Sequence, residues 1–87
     1  MAVMSAEIPE KVLDAFKVLD DDLTASLIEA LGPVAGELGD REQAVLERLA
    51  NGIATNAKPA ELNAFVRLLP VTVSRAVQPV LEPVIPA

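Results

Sequence analysis

The sequence predicts an all-α fold, a compact bundle of four to five short helices with a proline-punctuated, partly extended C-terminal arm. Apolar residues recur at intervals of three and four along most of the chain, the spacing that places them on one face of a helix. Acids, glycines and prolines interrupt this spacing at points typical of helix ends. We therefore assign residues 1–78 to a helical bundle domain and residues 79–87 to an apolar, proline-rich arm.

The first predicted helix covers about residues 8–19, and Pro9 suits its start. The three aspartates at 20–22 end this helix and offer caps and favourable charge to the N-terminus of the next one. The side chains expected to face the core from the first helix are Ile8, Val12, Leu13, Phe16 and Leu19.

The second predicted helix covers about residues 22–31 and is stopped by Gly32 and Pro33. Residues 34–38 are expected to form a short helical turn before the chain enters the third helix. The apolar positions of the second helix that we expect to point inward are Leu23, Leu27, Ile28 and Leu31.

The third predicted helix begins at Asp40, which forms a capping box with Gln43 three residues later. Asn51 and Gly52 indicate a C-terminal stop, although the apolar spacing allows the helix to continue to Thr55. Its core-facing residues are Val45, Leu46, Leu49 and Ile53.

The fourth predicted helix opens with residues 58–61 and is closed by Pro70. Its apolar positions are Leu62, Phe65, Val66 and Leu69. A short fifth helix is expected over about 71–78, because Pro79 would clash with a continuous helix at a cost of about 3 kcal/mol. The β-branched run at 71–73 leaves a strand as the alternative there.

Most of the side chains that carry enzyme chemistry are absent from the chain. It contains no His, Cys, Trp or Tyr, so it lacks imidazole bases and thiolate nucleophiles. Its serine and threonine hydroxyls have no histidine to activate them, and no base, nucleophile and electrophile occur together. We expect a protein that is not an enzyme and that has no catalytic residue and no cofactor.

The aspartates at 20–22 are the most prominent polar cluster in the sequence. Ca²⁺ and Mg²⁺ take oxygen ligands, but a calcium-binding EF-hand loop needs acids at alternate positions, a central glycine and a closing glutamate. Adjacent carboxylates also project in different directions on a regular backbone. We interpret the cluster as helix caps and predict no metal site.

Charge is distributed unevenly along the sequence. The net charge is −6, and residues 1–40 hold nine of the 13 acids but only two of the seven bases. Such an acidic segment repels phosphate backbones and anionic lipid headgroups. Residues 41–87 are nearly neutral and very apolar, so a protein partner is expected to bind there rather than nucleic acid, a membrane or a small-molecule substrate.

Two segments indicate an alternative function. Residues 40–52 (DREQAVLERLANG) and 72–75 (TVSR) resemble the helix-turn-helix DNA-binding output domains of bacterial transcription regulators. Those domains often open with an Arg-Glu pair and a Val-Leu, pass a glycine and place Thr-Val at the start of the recognition helix. The resemblance implies DNA binding through residues 73–78, with Arg75 and Gln78 as base-reading side chains. The sequence pI of about 4.4 is opposite to the charge expected of a DNA-binding domain.

A second alternative is binding to a membrane surface through the first helix. Lys11 and Lys17 lie opposite its apolar stripe, but Glu7, Glu10 and Asp14 outnumber them, whereas interfacial helices favour basic polar faces. No apolar run approaches the roughly 18–20 residues of a membrane span, and the N-terminus lacks the order of a signal peptide. We therefore expect a cytoplasmic or particle-associated protein.

The apolar C-terminal arm is the segment that we expect to bind a partner. Proline pre-sets the backbone and lowers the ordering cost of docking, and a chain this small rarely hides all of its apolar surface alone. We predict a non-catalytic structural or interaction protein that binds copies of itself or a partner through apolar helix faces and the arm. A capsid- or tail-associated subunit of a virus is one such protein. An arm that folds over its own bundle is the alternative. The predicted partner-binding residues are Val77, Val80, Leu81, Val84 and Ile85.

Overall fold

The computed structural model describes residues 7–85, in which five α-helices follow one another through short connections. The helices are α1 (Glu10–Phe16), α2 (Asp21–Leu31), α3 (Asp40–Ala54), α4 (Pro59–Arg67) and α5 (Val71–Leu81), and a 3₁₀ helix (Gly32–Glu37) joins α2 to α3. No strand occurs within residues 7–85. The predicted all-α class is confirmed, and the run at 71–73 is helical.

The helices pack around one apolar core. The longest helix, α3, contacts α1 and α4, while α2 and the 3₁₀ helix contact α5. The radius of gyration is 12.3 Å, close to the roughly 12 Å expected of a compact chain of this length. Within the described residues every buried side chain is apolar. The largest fully buried side chains are Phe16, Leu27, Leu31, Leu46, Val12, Val73 and Val77.

The start of α2 confirms the capping role predicted for the aspartates. The backbone N–H of Leu23 donates to Asp20 Oδ1 at 2.7 Å, and Asp21 and Asp22 occupy the first turn, where the helix dipole favours negative charge. A second bond ties α2 to its neighbour, because Thr24 Oγ1 donates to the carbonyl of Phe16 at 2.8 Å. The turn between α1 and α2 is therefore fixed from both sides.

The capping box predicted at the start of α3 is wrong. Asp40 is already the first residue of the helix and Gly39 is the N-cap, with no side-chain cap bond. The side chain of Gln43 instead donates from Nε2 to the carbonyl of Leu38 at 3.1 Å, before the helix begins. The helix then continues past Gly52, as the apolar spacing allows, and ends at Ala54.

The end of α3 is a left-handed cap at Asn56, whose φ is 58°. The N–H of Ala57 donates to the carbonyl of Gly52 at 2.8 Å, and that of Asn56 to Ile53 at 3.2 Å. These two bonds form a Schellman motif, in which Asn is tolerated because its short polar side chain lowers the cost of the left-handed conformation.

Helix α1 is shorter than the predicted 8–19. It ends at Phe16, and the N–H of Leu19 donates to the Phe16 carbonyl at 2.9 Å in a turn that keeps Leu19 buried. The prediction that Ile28 faces the core is also wrong, since its side chain is exposed. The buried stripe of α2 centres on Leu27 and Leu31 instead.

The C-terminal segment departs furthest from the prediction. Helix α5 does not stop near 78 but passes through Pro79 to Leu81, and the chain continues in turns, with the N–H of Ile85 donating to the Leu81 carbonyl at 2.7 Å. Proline lacks the N–H that would bond the carbonyl of Arg75. Burial of Leu81 and Ile85 in the core offsets that loss.

Residues 79–85 therefore lie against their own bundle rather than extending from it, which is the alternative that the sequence left open. The remaining arm residues, 86–87, and residues 1–6 of the predicted bundle lie outside the described residues. Between residues 7 and 85, no helix has the combined length and apolar character that crossing a bilayer requires.

Candidate binding groove

The five predicted partner-binding residues fall into two groups. Val77, Leu81 and Ile85 are buried in the core of the chain. Val80 and Val84 are only half-buried and pack against the edge of that core. Only these last two lie where another molecule can reach them without unpacking the bundle.

Val80 and Val84 form one wall of an open depression between α2 and the C-terminal segment, which we call the C-terminal groove. It consists of two adjoining parts that share Ser26 and Val80. The larger part has a volume of about 480 Å³ and is wide open to solvent, so it is a shallow surface depression rather than an enclosed cavity. Its lining residues are Asp20, Asp22, Leu23, Ser26, Glu29, Ala30, Pro33, Pro79, Val80, Pro83 and Val84.

Helical spacing explains both walls. On α2, Asp22, Ser26 and Glu29 stand at i, i+4 and i+7, which places them on one face. On the other wall, Val80 comes three residues after the buried Val77 of α5, so it lies at the edge of the buried stripe of that helix. The prolines at 79 and 83 present ring carbons and have no N–H, so this wall is apolar.

The rim of the groove is acidic. Asp20, Asp22 and Glu29 are all exposed, and no lining residue carries a positive charge. The sequence between residues 18 and 40 contains six acids and no base. The apolar wall beside these carboxylates has a low dielectric constant, which strengthens their electric field at the opening and attracts cations.

The α2 wall was not predicted from the sequence. The aspartates were considered as a metal site and interpreted as helix caps, and Ser26 and Glu29 form no motif by themselves. Their spacing of four and three residues is the signal that would have grouped them with Asp22.

A second exposed surface lies at the turn from α4 to α5. Leu68 and Val71 are 47% and 65% exposed, high values for large apolar side chains in this chain. Arg67 precedes Leu68, and Arg75 lies one turn beyond Val71 on α5; both arginines are exposed. We call these four residues the α4–α5 patch. The sequence pattern did not indicate Leu68, and it indicated Arg75 only through the resemblance to helix-turn-helix domains.

A smaller cleft of about 160 Å³ lies between α4 and the end of α5. Its lining is Asn63, Val66, Gln78, Leu81, Glu82 and Ile85. Its mixture of two amides, one carboxylate and apolar side chains has no charge pattern comparable with the rim of the C-terminal groove.

Two threonine hydroxyls form hydrogen bonds to backbone carbonyls and so have structural roles. Thr24 donates to the Phe16 carbonyl, and Thr55 donates to the Asn51 carbonyl at 2.9 Å. Within residues 7–85, no group of three or more Asp or Glu side chains is arranged to hold a metal ion. Asp20 uses its side chain as a helix cap.

The residues that suggested DNA binding lie in α3 and α5, and those that suggested membrane binding lie in or next to α1. The segments that resemble helix-turn-helix domains lie in α3 and α5, and α4 stands between them in the chain and contacts α3. In α5, Val73 and Val77 are buried while Arg75 and Gln78 are exposed. In α1, Val12 and Phe16 are buried, and the helix contacts α3.

We compared the chain with models of protein families, with curated proteins and with solved structures, and none of the three comparisons found a match.

Proposed function

We propose that this chain is a non-catalytic interaction protein whose binding surface is the C-terminal groove. The observation that carries the proposal is the pairing of an apolar wall, formed by Val80 and Val84, with an acidic rim, formed by Asp22 and Glu29. Apolar surface supplies affinity and the rim supplies steering and orientation. A subunit of a larger particle is one setting in which such a protein would act.

The sequence and the structure support this proposal through different residues. The sequence indicated the C-terminal segment, and Val80 and Val84 remain reachable there, whereas Val77, Leu81 and Ile85 stabilise the bundle. The ligand that fits is a protein segment with apolar side chains that pack against the apolar wall and with Lys or Arg side chains that face the acidic rim. Duplex DNA and anionic lipid carry the sign of charge that this rim repels.

A peptide-display selection tests the proposal. Random peptides are selected on the immobilised wild-type chain alone, and the binding of the enriched peptides is then measured on a Ser26→Trp variant, in which an indole fills the shared part of the groove from an exposed position. We expect the enriched peptides to combine apolar residues with Lys or Arg and to bind Ser26→Trp at least about tenfold more weakly than wild type.

A Val18→Asp variant is the matched control, because Val18 is 54% exposed and does not line the groove. It should bind the selected peptides as wild type does. A selection that yields no peptide whose binding depends on Ser26 would overturn the proposed function.

A further inference from the structure

The chain carries two exposed surfaces of opposite charge. The C-terminal groove has an apolar wall and an acidic rim, and the α4–α5 patch consists of two exposed apolar residues that lie between two arginines in the sequence. The two signs of charge are already separated in the sequence. The charged residues between 18 and 40 are all acids, while residues 58–85 contain three bases and two acids. Those two acids, Glu61 and Glu82, lie in the first turn of α4 and just beyond the end of α5, away from the turn that joins the helices.

We propose that the occupant of the C-terminal groove is the α4–α5 patch of a second copy of this chain, so that copies associate head to tail. This inference rests on the proposed function and names the partner of that same groove. Leu68 and Val71 would pack against the apolar wall of the groove, and Arg67 and Arg75 would face its acidic rim.

On α5, the residues of the two surfaces lie on different faces of the helix. On α5, Val71 and Arg75 lie on the face opposite the buried Val73 and Val77, as their exposure shows, whereas Val80 lies at the side of the buried stripe against α2. One chain can therefore offer its patch to one neighbour while its groove receives another. Such an interface is heterologous, and it generates a ring if the rotation closes or an open chain if it does not.

The charge arrangement makes this pairing selective. Two grooves facing each other would bring six rim carboxylates together, and two patches would bring four arginines together. Groove against patch is the combination that neutralises both sets. Because all of these charges are exposed, the attraction is screened by salt.

The test is the mass of the full chain in solution, measured by sedimentation and light scattering from micromolar to millimolar concentration. We expect the wild-type mass to rise with concentration beyond that of a dimer, and the association to weaken severalfold between 0.05 M and 0.5 M NaCl. Ser26→Trp blocks the groove and Val71→Asp places an acid in the patch. Each should weaken self-association at least about tenfold.

Mixing the two variants gives the decisive result. One interface remains available in the mixture, between the patch of Ser26→Trp and the groove of Val71→Asp. An equimolar mixture should therefore form a dimer and stop there. Glu29→Lys and Arg75→Glu, both at exposed positions, form a charge-reversed pair: each alone should associate more weakly than wild type, and their mixture should grow beyond a dimer, because the introduced lysine can face the introduced glutamate. Circular dichroism confirms that every variant is folded. Val18→Asp should associate as wild type does.

Three results would overturn the inference: a monomer at all concentrations, association that neither blocked variant weakens, or wild-type growth that ends at a dimer. If the chain is monomeric but the peptide selection still yields binders that depend on Ser26, the groove is a binding site and its occupant is another protein. If both experiments fail, the proposed function fails with them.

Discussion

Gly52 of α3 approaches Leu62 of α4 so closely that a methyl group built on its Cα would lie 2.7 Å from Leu62 Cδ2. Leu62 is buried, so its side chain has little room to move aside. The absence of a side chain at Gly52 is what allows the two helices to pack at this distance. The same residue contributes its carbonyl to the cap at the end of α3.

Gly52→Ala is expected to lower the free energy of unfolding by about 1 kcal/mol, the net of an overpacking cost of about 1–3 kcal/mol and a gain in helix propensity of about 1 kcal/mol. Asn51→Ala is the matched control, because Asn51 is the exposed neighbour of Gly52 in the same helix, where alanine adds helix propensity without overpacking. It should raise the free energy of unfolding by up to about 0.7 kcal/mol. Urea denaturation of both variants checks the difference, and equal effects would contradict the packing role of Gly52.

Asn56 holds the left-handed position that ends α3, with φ of 58°. Asn56→Gly should raise the free energy of unfolding by up to about 1 kcal/mol, because glycine adopts this conformation without steric cost. Asn51, inside the same helix, is the control: Asn51→Gly should lower it by a few tenths of a kcal/mol, about the difference in helix propensity. Thermal denaturation of the two variants should therefore give shifts of opposite sign.

Pro79 lies in the last turn of α5, where it costs a backbone hydrogen bond. Pro79→Ala should restore a donor toward the Arg75 carbonyl and raise the free energy of unfolding by about 1–2 kcal/mol, after allowance for the more flexible unfolded chain. Pro83→Ala, in the turn beyond the helix, should be neutral or lower stability by less than about 1 kcal/mol. Destabilisation by Pro79→Ala, measured by urea denaturation, would mean that α5 does not continue through this position.

Asp20 supplies the N-cap of α2 through its bond to the Leu23 N–H. Asp20→Ala should lower the free energy of unfolding by about 1 kcal/mol, and Asp20→Asn should recover most of that loss, because Asn caps helices about as well as Asp. Chemical denaturation near neutral pH measures both. Equal losses in the two variants would indicate that the charge of Asp20, rather than its cap bond, is what stabilises the helix.

The sequence predicted those features that depend on local pattern. The start of α4 at Pro59, the cap at Asp20 and the inward faces of α3 and α5 all follow from periodicity and from the chemistry of helix ends. The capping box failed because Asp40 and Gln43 match the pattern one residue out of place, with Gly39 at the cap. A one-residue shift of this kind is set by packing, which the pattern does not contain.

The course of the C-terminal segment could not be predicted for a related reason. The cost of a proline inside a helix is a local quantity, whereas the burial of Leu81 and Ile85 depends on how α5 packs against α2 and the 3₁₀ helix. The candidate site was half predicted. Val80 and Val84 came from the apolar spacing, but the acidic wall belongs to α2, nearly sixty residues earlier in the chain, and only the tertiary structure brings the two walls together.

The central claim is that residues 79–85 fold against their own bundle, with Leu81 and Ile85 buried in the core and Val80 and Val84 accessible in the wall of a groove. Because the chain contains no cysteine, single substitutions Val80→Cys, Leu81→Cys, Val84→Cys and Ile85→Cys each give one thiol, and its rate of reaction with a maleimide reports access to that position. We expect the thiols at 80 and 84 to react at least about tenfold faster than those at 81 and 85, whose reaction waits on local opening of the core. Four equal, rapid rates would show that the segment extends into solvent and would contradict the account.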